Sequence, residues 1–213
     1  MKSFLVLGLG RFGISVAKTL GKLGNEVLAI DKNADKVNDL AEDVTHAIVG
    51  DISDESVLKS IGVTNFDAVI VAASENMEVS LMTTMILKEL GAKKIIVKSS
   101  GELQAKILTK IGADKVVMPE DDTGIKMAQS LTQNGLIDFI ELSPEYSIAE
   151  LAVPSSWCGK SIAQLNVRVR YGVNIIAVKK GDSINADLSA DYVFASEDVV
   201  VAIGSNKKLD KIK

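Results

Sequence analysis

Short apolar runs alternate with amphipathic stretches over residues 1–118 of the chain. Six runs are apolar at nearly every position, as strands buried on both faces of a sheet are, and lie at residues 3–8, 26–31, 46–50, 67–72, 94–98 and 115–118. Between them, apolar residues recur at helical spacing, at about residues 12–23, 34–42, 54–61, 76–90 and 102–111. This alternation predicts an α/β fold with a doubly wound parallel sheet and right-handed crossovers.

The pattern changes after the sixth run, and the change predicts a second, smaller domain. A helix opens at Pro119, with acids in its first turn, and runs to about Gln133. Beyond it lie four short alternating stretches, at residues 138–142, 148–153, 174–179 and 199–203. Two short helical pieces lie between them, near residues 160–165 and 167–171. We therefore predict one domain over residues 1–133, including the crossover helix, and an α+β domain over residues 134–213. The thin core of the second domain favours association with another copy.

Composition narrows the class of protein. With 47 % hydrophobic and 24 % charged residues, the chain has the balance of a soluble globular protein, and no apolar run approaches the length of a membrane span. A net charge of −4, with the two signs interspersed, disfavours a nucleic-acid partner or a polybasic membrane anchor. There is no secretory signal, and the single Cys158 excludes an internal disulfide, so we expect a cytoplasmic location.

A glycine motif follows the first predicted strand and opens the first helix. Gly8 permits the tight turn, Gly10 lets the backbone approach a phosphate, and Gly13 lets the helix pack closely on the sheet. Asp31 ends the second strand, eighteen residues after Gly13, near the separation at which an acid accepts hydrogen bonds from ribose hydroxyls. The motif in this context predicts a Rossmann-type domain that binds an adenine nucleotide at the helix N-terminus.

The residues that hydride transfer would need are missing. The one histidine, His46, opens the third predicted strand, at the sheet edge opposite the ligand crevice. Cys158 has no histidine to activate it, and the chain lacks a Tyr-x-x-x-Lys pair, Cys/His clusters with metal spacing and a complete P-loop. The sequence therefore favours binding without catalysis. The alternative is an NAD(H)-binding redox sensor or an oxidoreductase of the same fold.

Charged residues at the predicted carboxyl edge of the sheet are candidates for nucleotide contacts, and each has a structural alternative. Arg11 suits a terminal phosphate of a di- or triphosphate, or is a surface arginine. Lys98 is a second phosphate ligand or a solvated lysine at a strand end. Asp51 accepts the adenine amine or, with Ser53, caps the next helix. Glu120 heads a helix, where the dipole alone stabilises a carboxylate by about 0.3–1 kcal/mol.

The whole chain resembles the cytosolic regulatory subunits of bacterial potassium transporters, the KtrA/TrkA group. These are built from an RCK N-terminal nucleotide-binding domain and an RCK C-terminal domain. The resemblance is carried by Asp31, by Gly50-Asp51 and by the motifs Gly8-Leu-Gly-Arg-Phe-Gly13, Met118-Pro-Glu-Asp-Asp-Thr-Gly124, Asp138-Phe-Ile-Glu-Leu and Ile148-Ala-Glu-Leu-Ala-Val-Pro154. A single copy of each domain makes the chain more similar to KtrA than to the tandem TrkA.

The resemblance implies an octameric ring that docks on a membrane-embedded, KtrB/TrkH-like potassium-translocating subunit at the inner face of the cell membrane. ATP and ADP stabilise different ring shapes in this family, and ATP favours transport. By match to the family motifs, Asp31 holds the ribose, Asp51 the adenine and Arg11 the γ-phosphate, with help from Lys98, and Glu120 takes part in cation binding. The other implied nucleotide contacts are Gly8, Gly10, Phe12, Gly13, Lys32, Ile52 and Ala73. A stand-alone regulator without a membrane partner is a further alternative.

The resemblance also implies a second ligand. In several Gram-positive relatives the C-terminal domain binds cyclic di-AMP at its dimer interface and switches transport off. The matching positions here are Ile162, Val167, Arg168, Asn174 and Ile175. The family often has a proline around the position of Ala190, and this chain departs from that pattern.

Overall fold

The computed structural model describes residues 1–73, 76–132 and 136–212. They form two compact units, Met1–Glu120 and Asp121–Lys213. The predicted domain boundary between residues 133 and 134 lies outside the described residues.

A parallel sheet forms the centre of the first unit. Its strands are β1 (Ser3–Leu7), β2 (Glu26–Asp31), β3 (His46–Val49), β4 (Ala68–Val71), β5 (Ile95–Lys98) and β6 (Lys115–Val117). They lie in the order β3-β2-β1-β4-β5-β6, and every neighbouring pair is parallel. The strand order reverses between β1 and β4, which is where a doubly wound sheet opens a crevice.

Helices connect these strands and cover both faces of the sheet. They are α1 (Arg11–Lys22), α2 (Ala34–Leu40), α3 (Glu55–Ile61), α4 (Met77–Glu89), α5 (Glu102–Ile111) and α6 (Pro119–Thr132), which continues into the second unit. Leu5 and Leu7 of β1 pack into the cluster on one face, whereas Val6 packs into the cluster on the other. The sheet has an apolar core on each face because successive strand residues point to opposite faces. The predicted doubly wound α/β fold is confirmed.

The edge strand β3 departs from the prediction that each strand is buried on both faces. Ile48 is 38 % exposed and Val49 57 %, because β3 has a neighbour on one side only. His46 begins β3, at the end of the strand away from the crevice, as predicted. Exposed apolar side chains also lie on α4, where Met77, Met82 and Met85 are 41–46 % exposed.

The second unit contains an antiparallel sheet with short helices. Its strands, in the order β10-β9-β11-β8-β7, are β7 (Leu136–Ser143), β8 (Tyr146–Ala152), β9 (Asn174–Lys180), β10 (Ser183–Asn185) and β11 (Val199–Ser205). The helices are α7 (Ile162–Leu165), α8 (Val167–Arg170) and α9 (Asn206–Leu209). Trp157 and Phe194 are buried in its core, and their rings meet in a tilted arrangement at a centroid distance of 5.6 Å. The predicted smaller α+β unit is confirmed, and the three exposed residues of β10 are the strand that the sequence did not predict.

Candidate functional site

A cleft of about 540 Å³ opens in the first unit where the strand order reverses, within the usual range for small-molecule sites. Its walls are the ends of β2 and β5, the loops after β1, β2, β3 and β4, and the first turns of α1, α2, α4 and α6. It is lined by Gly8, Leu9, Gly10, Arg11, Phe12, Asp31, Lys32, Lys36, Gly50, Asp51, Ile52, Ala72, Ala73, Asn76, Val79, Lys98 and Glu120. The structure thus brings together every residue that the sequence analysis assigned to the nucleotide except Gly13, which lies beneath the cleft.

The three glycines of the motif that joins β1 to α1 differ in what surrounds them, with Gly8 and Gly10 in the loop and Gly13 in the first turn of α1. Gly8 adopts a φ of +94°, and its amide donates to the Ile30 carbonyl oxygen at 2.8 Å. A Cβ at Gly13 would lie well inside contact distance of the Gly8 carbonyl oxygen, so only glycine lets the helix approach the strand end. At Gly10 a Cβ would meet no described atom within 4 Å beyond its chain neighbours. Gly13 therefore serves packing, and the space above Gly10 is open to a ligand.

Asp31 fastens the glycine loop to the end of β2. Its Oδ2 accepts a hydrogen bond from the Leu9 amide at 2.6 Å, and its Oδ1 accepts one from the Asn33 amide at 2.8 Å. A carboxylate oxygen has two acceptor sites, so each oxygen keeps capacity for a hydroxyl group in the cleft. Asp31 thus has a structural role that does not exclude contact with a ribose.

Asp51 is oriented by the residue two positions further along the chain. Its Oδ1 accepts from the Ser53 hydroxyl at 2.6 Å and from the Ser53 amide at 2.9 Å, and these bonds hold its pKa below the usual value. Asp54, and not Asp51, provides the side-chain cap of α3. The next residue, Ile52, is buried, and its carbonyl oxygen accepts from the buried Thr83 hydroxyl of α4 at 3.0 Å. This end of the cleft therefore presents one pre-oriented carboxylate on a backbone that is held by α4.

Arg11 is the first residue of α1 and is exposed at the mouth of the cleft. No side chain caps this helix, and its first turn contains no acid. The amide groups and the positive dipole end of α1 therefore point to a region that suits an anion. Phe12 follows Arg11 and also lines the cleft.

Lys98 lies across the cleft, at the end of β5. Its Nζ forms an ion pair with Glu120 Oε1 at 2.6 Å, and this bond holds the pKa of the Glu120 carboxyl below its usual value. The lysine side chain is 14 % exposed, whereas that of Glu120 is 70 % exposed. Within the residues described, no group of three or more His, Cys, Asp or Glu side chains is placed to hold a metal ion.

Six lining residues were not predicted as contacts from the sequence: Leu9, Lys36, Gly50, Ala72, Asn76 and Val79. Most are chain neighbours of predicted contacts. Lys32 directly follows β2 and Lys36 lies in the first turn of α2, so the short connection places both lysines near the end of β2. Asn76 is the N-cap of α4, and its side chain accepts a hydrogen bond from the Val79 amide. Asparagine just before a helical pattern is a recognisable cap signal in the sequence.

A second cleft, of about 250 Å³, lies in the second unit. All five residues that the resemblance assigned to the second ligand line it, and the full lining is Ile162, Ala163, Asn166, Val167, Arg168, Val173, Asn174 and Ile175. Asn166 turns the chain from α7 to α8 with a φ of +45°. The Ala163 amide donates to the Ala190 carbonyl oxygen at 2.8 Å. A proline at position 190 would keep that carbonyl, so the departure from the family pattern leaves this contact in place.

Comparison with known proteins identifies the family. The TrkA-N domain model matches residues 4–119 and the TrkA-C domain model residues 147–213. The chain is 45 % identical to Ktr system potassium uptake protein C of Bacillus subtilis, over 96 % of this chain and 92 % of that protein. It is 42 % identical to Ktr system potassium uptake protein A of the same organism, over 100 % of this chain and 96 % of that protein.

The chain belongs to the Ktr family of potassium uptake proteins. This finding confirms the resemblance that the sequence motifs indicated. Solved structures with the same fold include the GsuK channel, with a TM-score of 0.73, and the GsuK channel bound to NAD, with a TM-score of 0.71. Each is 22 % identical over 98 % of this chain, so the likeness concerns the fold alone, and this Ktr family chain spans 38 % of the GsuK chains. In the part of the Ktr family chain that the structure describes, no helix is long and apolar enough to cross a membrane.

Proposed function

We propose that the chain is the nucleotide-sensing regulatory subunit of a potassium uptake system and not an enzyme. Its relatives are named as Ktr potassium uptake proteins, and the similarity covers nearly the full length of both chains. The observation that carries the proposal is the cleft itself, which is lined by the glycine loop, two pre-oriented carboxylates and four cationic side chains.

The cleft residues divide between the parts of an adenine nucleotide. Asp31 accepts from the ribose hydroxyls and Asp51 from the adenine amine, with Ile52 and Ala73 as apolar neighbours of the base. The backbone of Gly8 and Gly10, the α1 N-terminus and Lys98 hold the phosphates. Lys32 adds a positive charge at the ribose end.

A triphosphate differs from a diphosphate by charge at the phosphate end of the cleft. Arg11 is exposed there and reaches a terminal phosphate, either in its own cleft or in that of a neighbouring copy. Copies that share a phosphate in this way form a ring, an octamer by similarity to the family, whose shape depends on the nucleotide. A ligand shifts such an equilibrium only through different affinities for the two shapes. The ring acts on a membrane-embedded, KtrB/TrkH-like potassium-translocating subunit at the inner face of the cell membrane.

A cation at the phosphate end would be held by Glu120 only in combination with other oxygen donors. Glu120 is exposed and lies near the phosphate end, but one carboxylate is too few for a protein-built metal site. We propose that the phosphates of the nucleotide supply the remaining ligands, as in many sites for divalent ions.

The second cleft is proposed to bind half of a cyclic di-AMP molecule. Arg168 is exposed and suits a phosphate, and Asn174 suits the hydrogen-bonding edge of adenine. The apolar side chains of Ile162, Val167 and Ile175 line the rest of the cleft. A cleft of about 250 Å³ is below the usual range for a whole drug-sized ligand, which supports a site completed by a second copy.

The decisive experiment is a calorimetric titration of the purified full chain with ATP, ADP, NADH and cyclic di-AMP. We expect ATP and ADP to bind more tightly than NADH. The matched variant is Gly10→Ala, because the added methyl group meets no described protein atom. On this proposal it occupies the space of the phosphates. This variant is expected to lose adenine-nucleotide binding and to keep cyclic di-AMP binding.

The same titration tests the alternative function. The GsuK channel bound to NAD has this fold, and a ribose-binding Asp31 suits NAD as well as ATP. Tighter binding of NADH than of ATP would favour a redox sensor. Absence of a copurifying potassium-translocating subunit from native membranes would favour a stand-alone regulator.

A further inference from the structure

The ion pair between Lys98 and Glu120 occupies a position that matters for any anion in the cleft. Lys98 ends β5 and Glu120 lies in the first turn of α6, and both residues line the cleft. Their side chains meet at 2.6 Å, the short distance typical of a charge-assisted hydrogen bond. The Lys98 ammonium group is therefore paired with a carboxylate that lines the same cleft.

The two partners are unequal, and this decides which of them can be exchanged. The Lys98 side chain is 14 % exposed and cannot leave the cleft without losing its packing, whereas that of Glu120 is 70 % exposed. A largely buried ammonium group needs an anionic partner, because an unpaired buried charge is strongly unfavourable. An exposed carboxylate can be rehydrated at little cost. The lysine is thus a fixed cation with an exchangeable anion.

We propose that Glu120 is a built-in competitor of the ligand's terminal phosphate for Lys98. This proposal rests on the proposed function, in which the cleft binds an adenine nucleotide. A nucleotide whose phosphate chain reaches Lys98 breaks the Lys98–Glu120 ion pair and forms a phosphate–Lys98 pair in its place. The Glu120 carboxylate is then released at the first turn of α6. A nucleotide with a short phosphate chain leaves the ion pair intact. Glu120 therefore lowers the affinity for nucleotides whose phosphate chain reaches Lys98 and leaves the affinity for AMP unchanged.

The test is a double-mutant cycle measured by calorimetry in EDTA, so that no divalent cation contributes. Glu120→Gln removes the competitor and is expected to raise the affinity for ATP by about two- to five-fold, the range of exposed to half-buried ion pairs, with AMP affinity unchanged. Lys98→Met is expected to weaken ATP binding. In the Lys98→Met background, adding Glu120→Gln is expected to change the ATP affinity no further, because the contested cation is gone.

A general effect of removing one negative charge would have a different pattern. Asp121→Asn removes the same charge from the neighbouring, exposed position, which does not line the cleft, and is expected to leave ATP affinity unchanged. The proposal is overturned if Glu120→Gln fails to raise ATP affinity, raises AMP affinity equally, or acts equally in the Lys98→Met background. Failure of the wild-type chain to bind either nucleotide would instead overturn the proposed function.

Discussion

Arg11 is the residue at which a two-phosphate ligand and a three-phosphate ligand should differ most. It begins α1 at the cleft mouth, and its guanidinium group is exposed. Arg11→Ala is therefore expected to lower the ATP affinity by about ten-fold or more, the scale of a lost charge-assisted hydrogen bond, and to leave the ADP affinity nearly unchanged. Calorimetric titration of the variant with each nucleotide measures the ratio of the ATP affinity to the ADP affinity.

Lys22→Ala is the matched control, because Lys22 is the cation in the last turn of the same helix. It removes the same charge from the end of α1 that faces away from the cleft, so both nucleotide affinities should persist. An ATP/ADP ratio that survives Arg11→Ala would show that Arg11 does not sense the terminal phosphate.

For single residues, the sequence predicted members of a local motif better than contacts between residues that are distant in the chain. Gly8, Gly10 and Asp31 were recognisable because a strand, a turn and a helix fix their spacing. The ion pair between Lys98 and Glu120 joins residues 22 positions apart. It depends on the register of β5 with β6 and on where α6 begins, and neither is encoded in a local pattern.

At the scale of the elements, Gly13 lets α1 lie very close to the end of β1. A Cβ at Gly13 would meet the Gly8 carbonyl oxygen, which is backbone and cannot rotate away. Gly13→Ala adds about 1 kcal/mol of helix propensity, but overpacking against a fixed backbone costs about 1–3 kcal/mol and should prevail. We expect a lower free energy of unfolding in urea denaturation, together with weaker ATP binding.

Gly10→Ala provides the comparison, because its methyl group faces open space. Its free energy of unfolding should lie within about 0.5 kcal/mol of the wild type, although ATP binding is lost. The two substitutions thus separate packing from ligand contact within one glycine loop. Equal destabilisation by both would contradict the division of roles.

Element types followed from hydrophobic periodicity, but the burial of an element did not. β3 has the apolar composition of an inner strand, yet Ile48 and Val49 are exposed because the strand order places β3 at the sheet edge. β10 was missed because three exposed residues contain too little alternation to indicate a strand. Strand order and edge position result from the whole chain, so no single window of sequence contains them.

At the scale of the whole molecule, the two clefts lie in units with separate cores. Among the described residues, those that line the first cleft all belong to the first unit and those that line the second cleft all belong to the second, so ligand binding at one site is expected to survive the loss of the other. Arg168→Ala should lower the affinity for cyclic di-AMP by about ten-fold or more, because a phosphate loses its charged partner. The Kd for ATP should stay within about two-fold of the wild type.

Arg170→Ala is the control for that substitution, since Arg170 is also exposed on α8 but does not line the cleft. It should leave both affinities unchanged in the same titrations. Any coupling between the two ligands must be reciprocal, so ATP should change the cyclic di-AMP affinity by the factor with which cyclic di-AMP changes that of ATP. The ATP affinity of Arg168→Ala is measured without cyclic di-AMP. A fall in that affinity would mean that the two clefts are not independent sites, and would contradict a regulator with two separate ligand inputs.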